Sequence, residues 1–333
     1  MNPKRRIIPL FIPHAGCPHA CVFCNQRRIS GATNPAEMDD VRAAVSGAGD
    51  QTAELAFYGG SFTAIPEAQQ DELLSAAAPF LSGNPENSIR ISTRPDCMDE
   101  ATAARLKHYG VRTVELGAQS MCDDVLMAAR RGHLSTDVVR AARIVKDAGL
   151  SLILQMMTGL PGDTREGSLY TAERFISMAP NGVRIYPAVV VRDTELYEMW
   201  RRGEYLEHTV EDAVSLCAAL CGMFGEADIP IIRLGLNATD DLSAGDAVAG
   251  AYHPAFGELV YSRIYLNRAM ELLTDAAPNS DVIIGVAKGR ISMMTGQRRR
   301  NIAALMRKFS LRSVKVIECG IEDMDVCRII KGI

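Results

Sequence analysis

From residue 7 to residue 186, short β-branched runs alternate with amphipathic stretches of 10–18 residues, a rhythm that points to βα units building a parallel sheet. The candidate strands are Ile7–Pro13, Glu54–Tyr58, Ser88–Thr93, Arg112–Leu116, Ser151–Met156 and Gly182–Tyr186, with helical patterns near 36–48, 66–82, 99–109, 134–149 and 164–179. Periodicity alone admits either a six-stranded partial barrel or a doubly wound sheet. After Tyr186 the rhythm changes to helices near 194–202 and 209–226, a strand Ile229–Leu236, the Gly- and Asp-rich loop NATDDLSAGDAVAGAYHPAFG and a helix over 257–274. The last segment reads as strand Asp281–Val286, helix Gln297–Phe309 and strand Ser313–Glu318, set off by the breaker APNS. The expected organisation is a core over 1–240, a helical and loop connection over 241–279 and a small basic βαβ module over 280–333.

A chain of 333 residues with 47% hydrophobic content can bury one large core and a smaller one. No run approaches the ~18 uninterrupted apolar residues of a spanning helix, and no small-residue cleavage site follows the first apolar stretch. A cytoplasmic protein without a membrane partner is therefore expected. Nine cysteines in such a chain argue for metal or redox use rather than a disulfide framework. Cys217 and Cys221, four apart in an apolar helical pattern, read as small buried hydrophobes, and Cys97, Cys122, Cys319 and Cys327 are isolated. Residues 281–333 carry 11 Lys/Arg against 5 Asp/Glu, although the whole chain has a net charge of −4. A basic terminal segment on an acidic body suggests a surface that faces a polyanion.

In parallel βα architectures ligands bind at the carboxyl ends of the strands. The unusual residues of this chain fall there in succession: HAGCPHACVFCNQ, YGGSFT, STRPD, ELGAQS, QMMTGLPG and YP. Six polar or Gly-rich ends on one rim imply a single shared site. Thiolates are soft ligands that suit iron–sulfur clusters and zinc. The spacing C-x3-C-x2-C of Cys17, Cys21 and Cys24 lets one loop ligate three irons of a cubane and leaves the fourth to a non-protein ligand. A zinc site completed by His14 or His19 is the other reading, although no Cys or His lies between Cys24 and Cys97 to supply the usual second ligand pair. The turn Gly159-Leu160-Pro161-Gly162 lacks the lysine of a phosphate-binding P-loop. Glu115 is either a charge in the cavity or a helix-facing ion-pair partner, His253 is either a substrate-side proton donor or structural, and Met156, Met157, Val189 and Val190 are either a water-excluding lining or core.

The cysteine spacing, Phe23 just before the third cysteine and the glycine pair after the second strand resemble the radical SAM superfamily, over about residues 7–240. That resemblance implies a partial (β/α)6 TIM-like barrel. It also implies a 4Fe-4S cluster on Cys17, Cys21 and Cys24 whose open iron is chelated by S-adenosylmethionine (SAM). Reductive cleavage by a one-electron donor such as ferredoxin or flavodoxin would then give a 5′-deoxyadenosyl radical. Phe23 would lie near the adenine, and Gly59, Gly60 and Ser61 would receive the methionine amino group.

The phrases GCPHACVFC, YGGSF, STRPD, VELGAQS, MMTGLP and RIYPAVVVRDTELYEMWRRGEY look like the radical SAM core of the Elongator catalytic subunit family, which modifies wobble uridines of tRNA. QS, RGH and TGLPG are similar, more distantly, to oxygen-independent coproporphyrinogen oxidases. These relatives imply SAM contacts at Ser92, Gln119, Arg131 and Gln155, with Arg131 facing the methionine carboxylate. Two departures stand out. Relatives usually carry an acid where Ser92 stands, and nothing after residue 240 resembles the Elongator acetyltransferase domain, so its acetyl chemistry is not carried over. The resemblance and the concentration of Arg298, Arg299, Arg300, Arg307, Lys308 and Arg312 make tRNA the expected substrate. A small molecule such as a tetrapyrrole precursor is one alternative, and a non-catalytic zinc-binding interaction protein is another.

Overall fold

The computed structural model describes residues 6–32, 34–49, 52–236, 245–321 and 327–331. They group into two compact units, residues 1–209 with 223–254 and residues 210–222 with 255–333.

The first unit is built on a seven-stranded sheet. Its strands are β1 (Arg6–Phe11), β2 (Ala53–Tyr58), β3 (Ser88–Thr93), β4 (Val111–Gln119), β5 (Ser151–Thr158) and β6 (Gly182–Pro187), to which β7 (Val189–Val191) contributes nothing and β8 (Ile231–Leu234) adds the last position. The order is β1-β2-β3-β4-β5-β6-β8, and every neighbouring pair is parallel. Sequential order with one helical crossover after another gives a curved, partial barrel rather than a doubly wound sheet, whose order would reverse at a switch point. The apolar runs of β2 and β5 are buried along nearly their whole length, as parallel strands covered on both faces require.

The connecting helices form where the sequence supplies caps and one apolar face. Asp99 caps the helix Glu100–His108 by accepting from Thr102 N at 2.8 Å, and Thr164 caps Arg165–Ser177 through Gly167 N. The helix Ser135–Asp147 buries Val138, Ala141, Ala142 and Val145, spaced at helical intervals against β4 and β5.

Strand β8 is shorter than the expected Ile229–Leu236. The N–H of Ile229 closes the preceding helix on Phe224 O, and Pro230 has no N–H to give the ladder. Strand β4 runs three residues past the expected Leu116 by way of a bulge between Leu116 and Gln119. A two-stranded antiparallel ribbon of β7 and β9 (Ala247–Gly250) was not foreseen, because Val189–Val191 offers no alternation to mark it as separate from β6. Residues 237–244 of the expected Gly- and Asp-rich loop lie outside the described residues.

The second unit holds β10 (Asp281–Val286), β11 (Ser313–Glu318) and β12 (Cys327–Lys331) in the order β11-β10-β12, with β10 parallel to β11 and antiparallel to β12. Tyr265, Leu266, Val282, Ile284, Met294, Ile302 and Leu305 make its core. The single helix expected over Gln297–Phe309 is instead a helix Ile291–Thr295, a sharp break and a helix Arg300–Phe309. Gly296, Arg298 and Arg299 all have positive φ at the break (70°, 52° and 60°). Buried Asn301 fixes it by donating to Ser262 O at 2.9 Å. Among the described residues no helix is long and apolar enough to cross a membrane.

Candidate active site

A cavity of about 620 Å³ opens at the carboxyl ends of the strands of the first unit. Its lining includes Cys17, Cys21, Cys24, Phe23, Gly59, Gly60, Ser92, Gln119, Arg131 and Gln155, so nearly all of the residues singled out for cluster and SAM contacts open on one space. Ser61 does not line it. Its hydroxyl is fully buried behind the wall, 3.0 Å from Thr93 Oγ1 and accepting from Arg94 N. Of the apolar residues expected there, Met157 and Val189 line the cavity, whereas Val190 packs with Val22, Ala188 and Leu196 and Met156 is wholly buried. His253 is not among the lining residues.

The cysteine loop is pinned by backbone contacts. His14 N donates to Gly59 O at 3.0 Å and Ser61 N to Ala15 O at 2.9 Å, which ties the loop after β1 to the glycine turn after β2. A Cβ on Gly60 would stand 2.5 Å from both Ala15 O and Ile12 O, so only glycine permits this approach. Val22, between the second and third cysteines, is the anchor: it is buried, takes Ala129 O at 3.2 Å and accepts from Leu196 N at 2.7 Å.

Three sulfurs on one loop fit an iron–sulfur cluster better than a zinc ion. Burial, with the negative charge of Cys21 adding to it, pushes the Cys24 thiol up to about 12 and raises Cys17 as well. Such a group ionises only against a strongly cationic partner. His14, one of the two histidines named as completing a zinc set, spends its Nε2 lone pair on Gln26 N–H at 3.0 Å, and partial burial lowers its pKa. Among the described residues no three His, Cys, Asp or Glu side chains are gathered closely enough to chelate a single ion.

Arg131 sits against the loop, donating from Nη1 to Cys21 Sγ at 3.1 Å and from Nη2 to Gly117 O at 2.6 Å, while its buried Nε has no partner. An orphaned guanidinium N–H at this wall suits a carboxylate ligand. Arg94, ion-paired to Asp96, donates to Arg131 O and holds that segment in place. His133 backs the same segment with Nε2 3.2 Å from Ala118 O. Burial, and secondarily the charge of Arg131, lowers its pKa to about 4. Because unfolded histidine takes its proton near 6.5 and the folded group resists it, stability should fall as pH drops through the window from 6.5 to 4, by about 2–3 kcal/mol from this group. Thermal melts across that window should show a shallower slope for His133→Gln, and equal slopes would sink the assignment.

A buried ion-pair network that the sequence did not disclose reaches the cavity lining through Glu115 and Arg184. Glu54 pairs with Arg90 at 2.6 Å, Arg90 also reaches Glu115, and Glu115 pairs with Arg184 at 2.8 Å, all four being largely buried. Arg184 further donates to Tyr58 Oη at 2.9 Å and Tyr186 Oη at 3.1 Å. Of its two readings, the charge in the cavity describes Glu115: it lines the space, and its ion-pair partners Arg90 and Arg184 stand on strands β3 and β6, not on a helix. It also accepts from Ser92 Oγ at 3.3 Å, in register on the next strand, so a carboxylate stands behind the serine where relatives are expected to carry an acid. Gln119, at φ 67°, accepts from Gln155 Nε2 at 3.2 Å. The amide of Gly159 is satisfied by Asp163 at 2.8 Å, which leaves the turn Gly159–Gly162 no phosphate cradle.

The basic residues of the terminal segment lie in the second unit. Arg312 is ion-paired to Asp281, and Arg300 lies 3.6 Å from Glu211; both pairs are exposed.

Two family models match: "Radical SAM superfamily" over residues 11–175 and "Radical_SAM C-terminal domain" over residues 180–266. The chain is similar to the tRNA uridine(34) acetyltransferase of Methanocaldococcus jannaschii, 29% identical over 228 residues, which are 62% of this chain and 41% of the relative. It is also similar to human Elongator complex protein 3, 30% identical over 51% of this chain and 35% of that protein. The chain therefore spans about two fifths of the length of the curated relatives it matches. Among solved structures, the archaeal Elp3 of Methanocaldococcus infernus superposes with a TM-score of 0.62 at 22% identity, covering 84% of this chain and 70% of that one. Coproporphyrinogen III oxidase from Escherichia coli superposes with a TM-score of 0.51 at 15% identity, covering 67% and 53%. These likenesses show the partial-barrel fold.

Proposed function

This chain belongs to the radical SAM superfamily, an enzyme family whose cofactors are a 4Fe-4S cluster and SAM, and we propose that it uses them to modify a base of tRNA. When bound, the cluster and SAM supply a 5′-deoxyadenosyl radical by one-electron reductive cleavage, the electron coming from a donor such as ferredoxin or flavodoxin. Cys17, Cys21 and Cys24 are the cluster ligands. Arg131, with its unpartnered Nε, would hold the methionine carboxylate; the backbone at Gly59 and Gly60 would take the methionine amino group; Phe23 would flank the adenine; and Ser92, Gln119 and Gln155 would hold the ribose and remaining polar edges. Met157, Val189 and Val191 exclude water from the space where hydrogen is abstracted. The free cysteines suit a reducing, cytoplasmic setting.

The observation that carries the chemistry is the convergence of three free cysteines with these strand ends on one cavity. The tRNA assignment is supported by relatives named for tRNA uridine 34 and by the basic residues Arg298, Arg299, Arg300, Arg307, Lys308 and Arg312. The test is anaerobic reconstitution followed by dithionite-driven SAM cleavage with and without bulk tRNA. Stimulation by tRNA is expected, and indifference to it would overturn the substrate. Charge reversal at Arg298, Arg299 and Arg300 should weaken tRNA retention at least about tenfold at ~0.1 M salt and flatten the dependence of log K on log salt by about 3. Filter binding across a salt series measures both, and an unchanged slope would remove this segment from the interface.

A further inference from the structure

Four guanidiniums line the cavity, those of Arg94, Arg131, Arg184 and Arg233, against one carboxylate, Glu115. Three of the four are engaged. Arg94 is paired with Asp96, Arg131 faces Cys21 Sγ and Gly117 O, and Arg184 is held by Glu115, Tyr58 and Tyr186. Arg233 differs. Among the described residues its one side-chain hydrogen bond is from Nε to Gly235 O at 3.1 Å, and no carboxylate among them pairs with it.

Its position makes the surplus harder to dismiss. Arg233 on β8 is in direct register with Arg184 on β6, so two arginines stand side by side on adjacent strands. Like charges so placed repel, and a half-buried guanidinium without a counter-ion among the described residues is costly. Arg184 is neutralised from its other side by Glu115, which leaves Arg233 as the cation with an open hydrogen-bonding fork. Phe11, Tyr58 and Tyr186 line the same cavity and offer aromatic surface to a planar group.

We propose that Arg233, backed by Arg184, forms an oxyanion subsite in this cavity that holds a phosphate or carboxylate carried by the substrate. A guanidinium fork matches either group in bidentate geometry. The subsite deepens the reading of a nucleotide substrate and rests on it for the choice of probes.

The test uses the anaerobically reconstituted protein with SAM saturating, so that the methionine carboxylate is already placed. Calorimetry compares uridine 5′-monophosphate with uridine, and pyrophosphate with malonate. The expected result is that the monophosphate binds at least about tenfold tighter than the nucleoside, a 1.4 kcal/mol difference, and that Arg233→Gln removes this difference while Arg233→Lys keeps part of it. Preference for pyrophosphate over malonate identifies phosphate as the natural oxyanion; the reverse identifies a carboxylate, and both support the subsite. Equal binding of monophosphate and nucleoside by the unaltered protein, or an undiminished difference in Arg233→Gln, overturns it. The cluster's visible absorbance reports that the variant is folded. Loss of tRNA stimulation with the monophosphate preference intact would sink the tRNA reading and leave the subsite standing.

Discussion

Replacing Cys24 with alanine leaves a protein that shows no broad visible absorbance after anaerobic reconstitution and cleaves SAM at least about 100-fold more slowly than the unaltered chain. The reason is ligand count. Three thiolates are what the loop provides, and Cys24 is one of the two half-buried ones, with Gln26 Nε2 3.5 Å from its sulfur and desolvation raising its thiol pKa until iron takes the proton's place. Two remaining thiolates cannot hold a cubane against chelation, and without it no electron reaches the sulfonium. Iron content, absorbance and deoxyadenosine formation check the three consequences separately. A variant that kept its colour and its cleavage would move the cluster elsewhere.

Glu115→Ala is the second large effect, and it falls on stability. Glu115 is 3% exposed and bridges Arg90 and Arg184, which are themselves 11% and 12% exposed. Removing it leaves Arg184 with two phenol oxygens and no counter-charge, while Arg90 retains Glu54. Orphaning a buried charge in this way costs about 3–5 kcal/mol. Urea unfolding should register that loss, and adding Arg184→Met should recover a substantial part of it, because the double change removes the charge that the single change strands. Additive losses in the double variant would show that the two residues do not act as a pair.

The residues that the sequence disclosed and those it concealed differ in kind. Cys17, Cys21 and Cys24 and the pair Gly59-Gly60 were legible because each breaks the expected pattern at or near a strand end, where nothing in core packing calls for it, whereas Gln119 and Gln155 were picked out through the resemblance to relatives. Arg90, Arg184 and Arg233 sit inside strands, where a single charged residue reads as the polar half of an alternation. Whether such a residue faces solvent or the barrel interior is set by pairing between strands: Arg90 meets Glu54 across 36 residues, and Arg184 meets Glu115 across 69. Local propensity carries no trace of such distances. Ser61 illustrates the converse. The glycine turn was visible, yet the serine's inward rotation depends on Thr93 and Arg94, one strand away. The break before Arg300 escaped notice because Arg298 and Arg299 are ordinary helix formers, held at positive φ by a tertiary contact of Asn301.

Among the described residues the seven-stranded sheet does not close on itself: β1 and β8 each have a partner on one side only. A gap of this kind exposes backbone donors and acceptors to any extended peptide that drifts past, which is how sheets recruit unwanted copies of themselves. The chain blunts both margins. Pro9 removes an N–H from the middle of β1, and β8 is only four residues long and starts straight after Pro230. Protection against self-association is thus written into the same two strands that leave the barrel open, and substituting Pro9 with a β-branched residue would trade solubility for a better-formed edge.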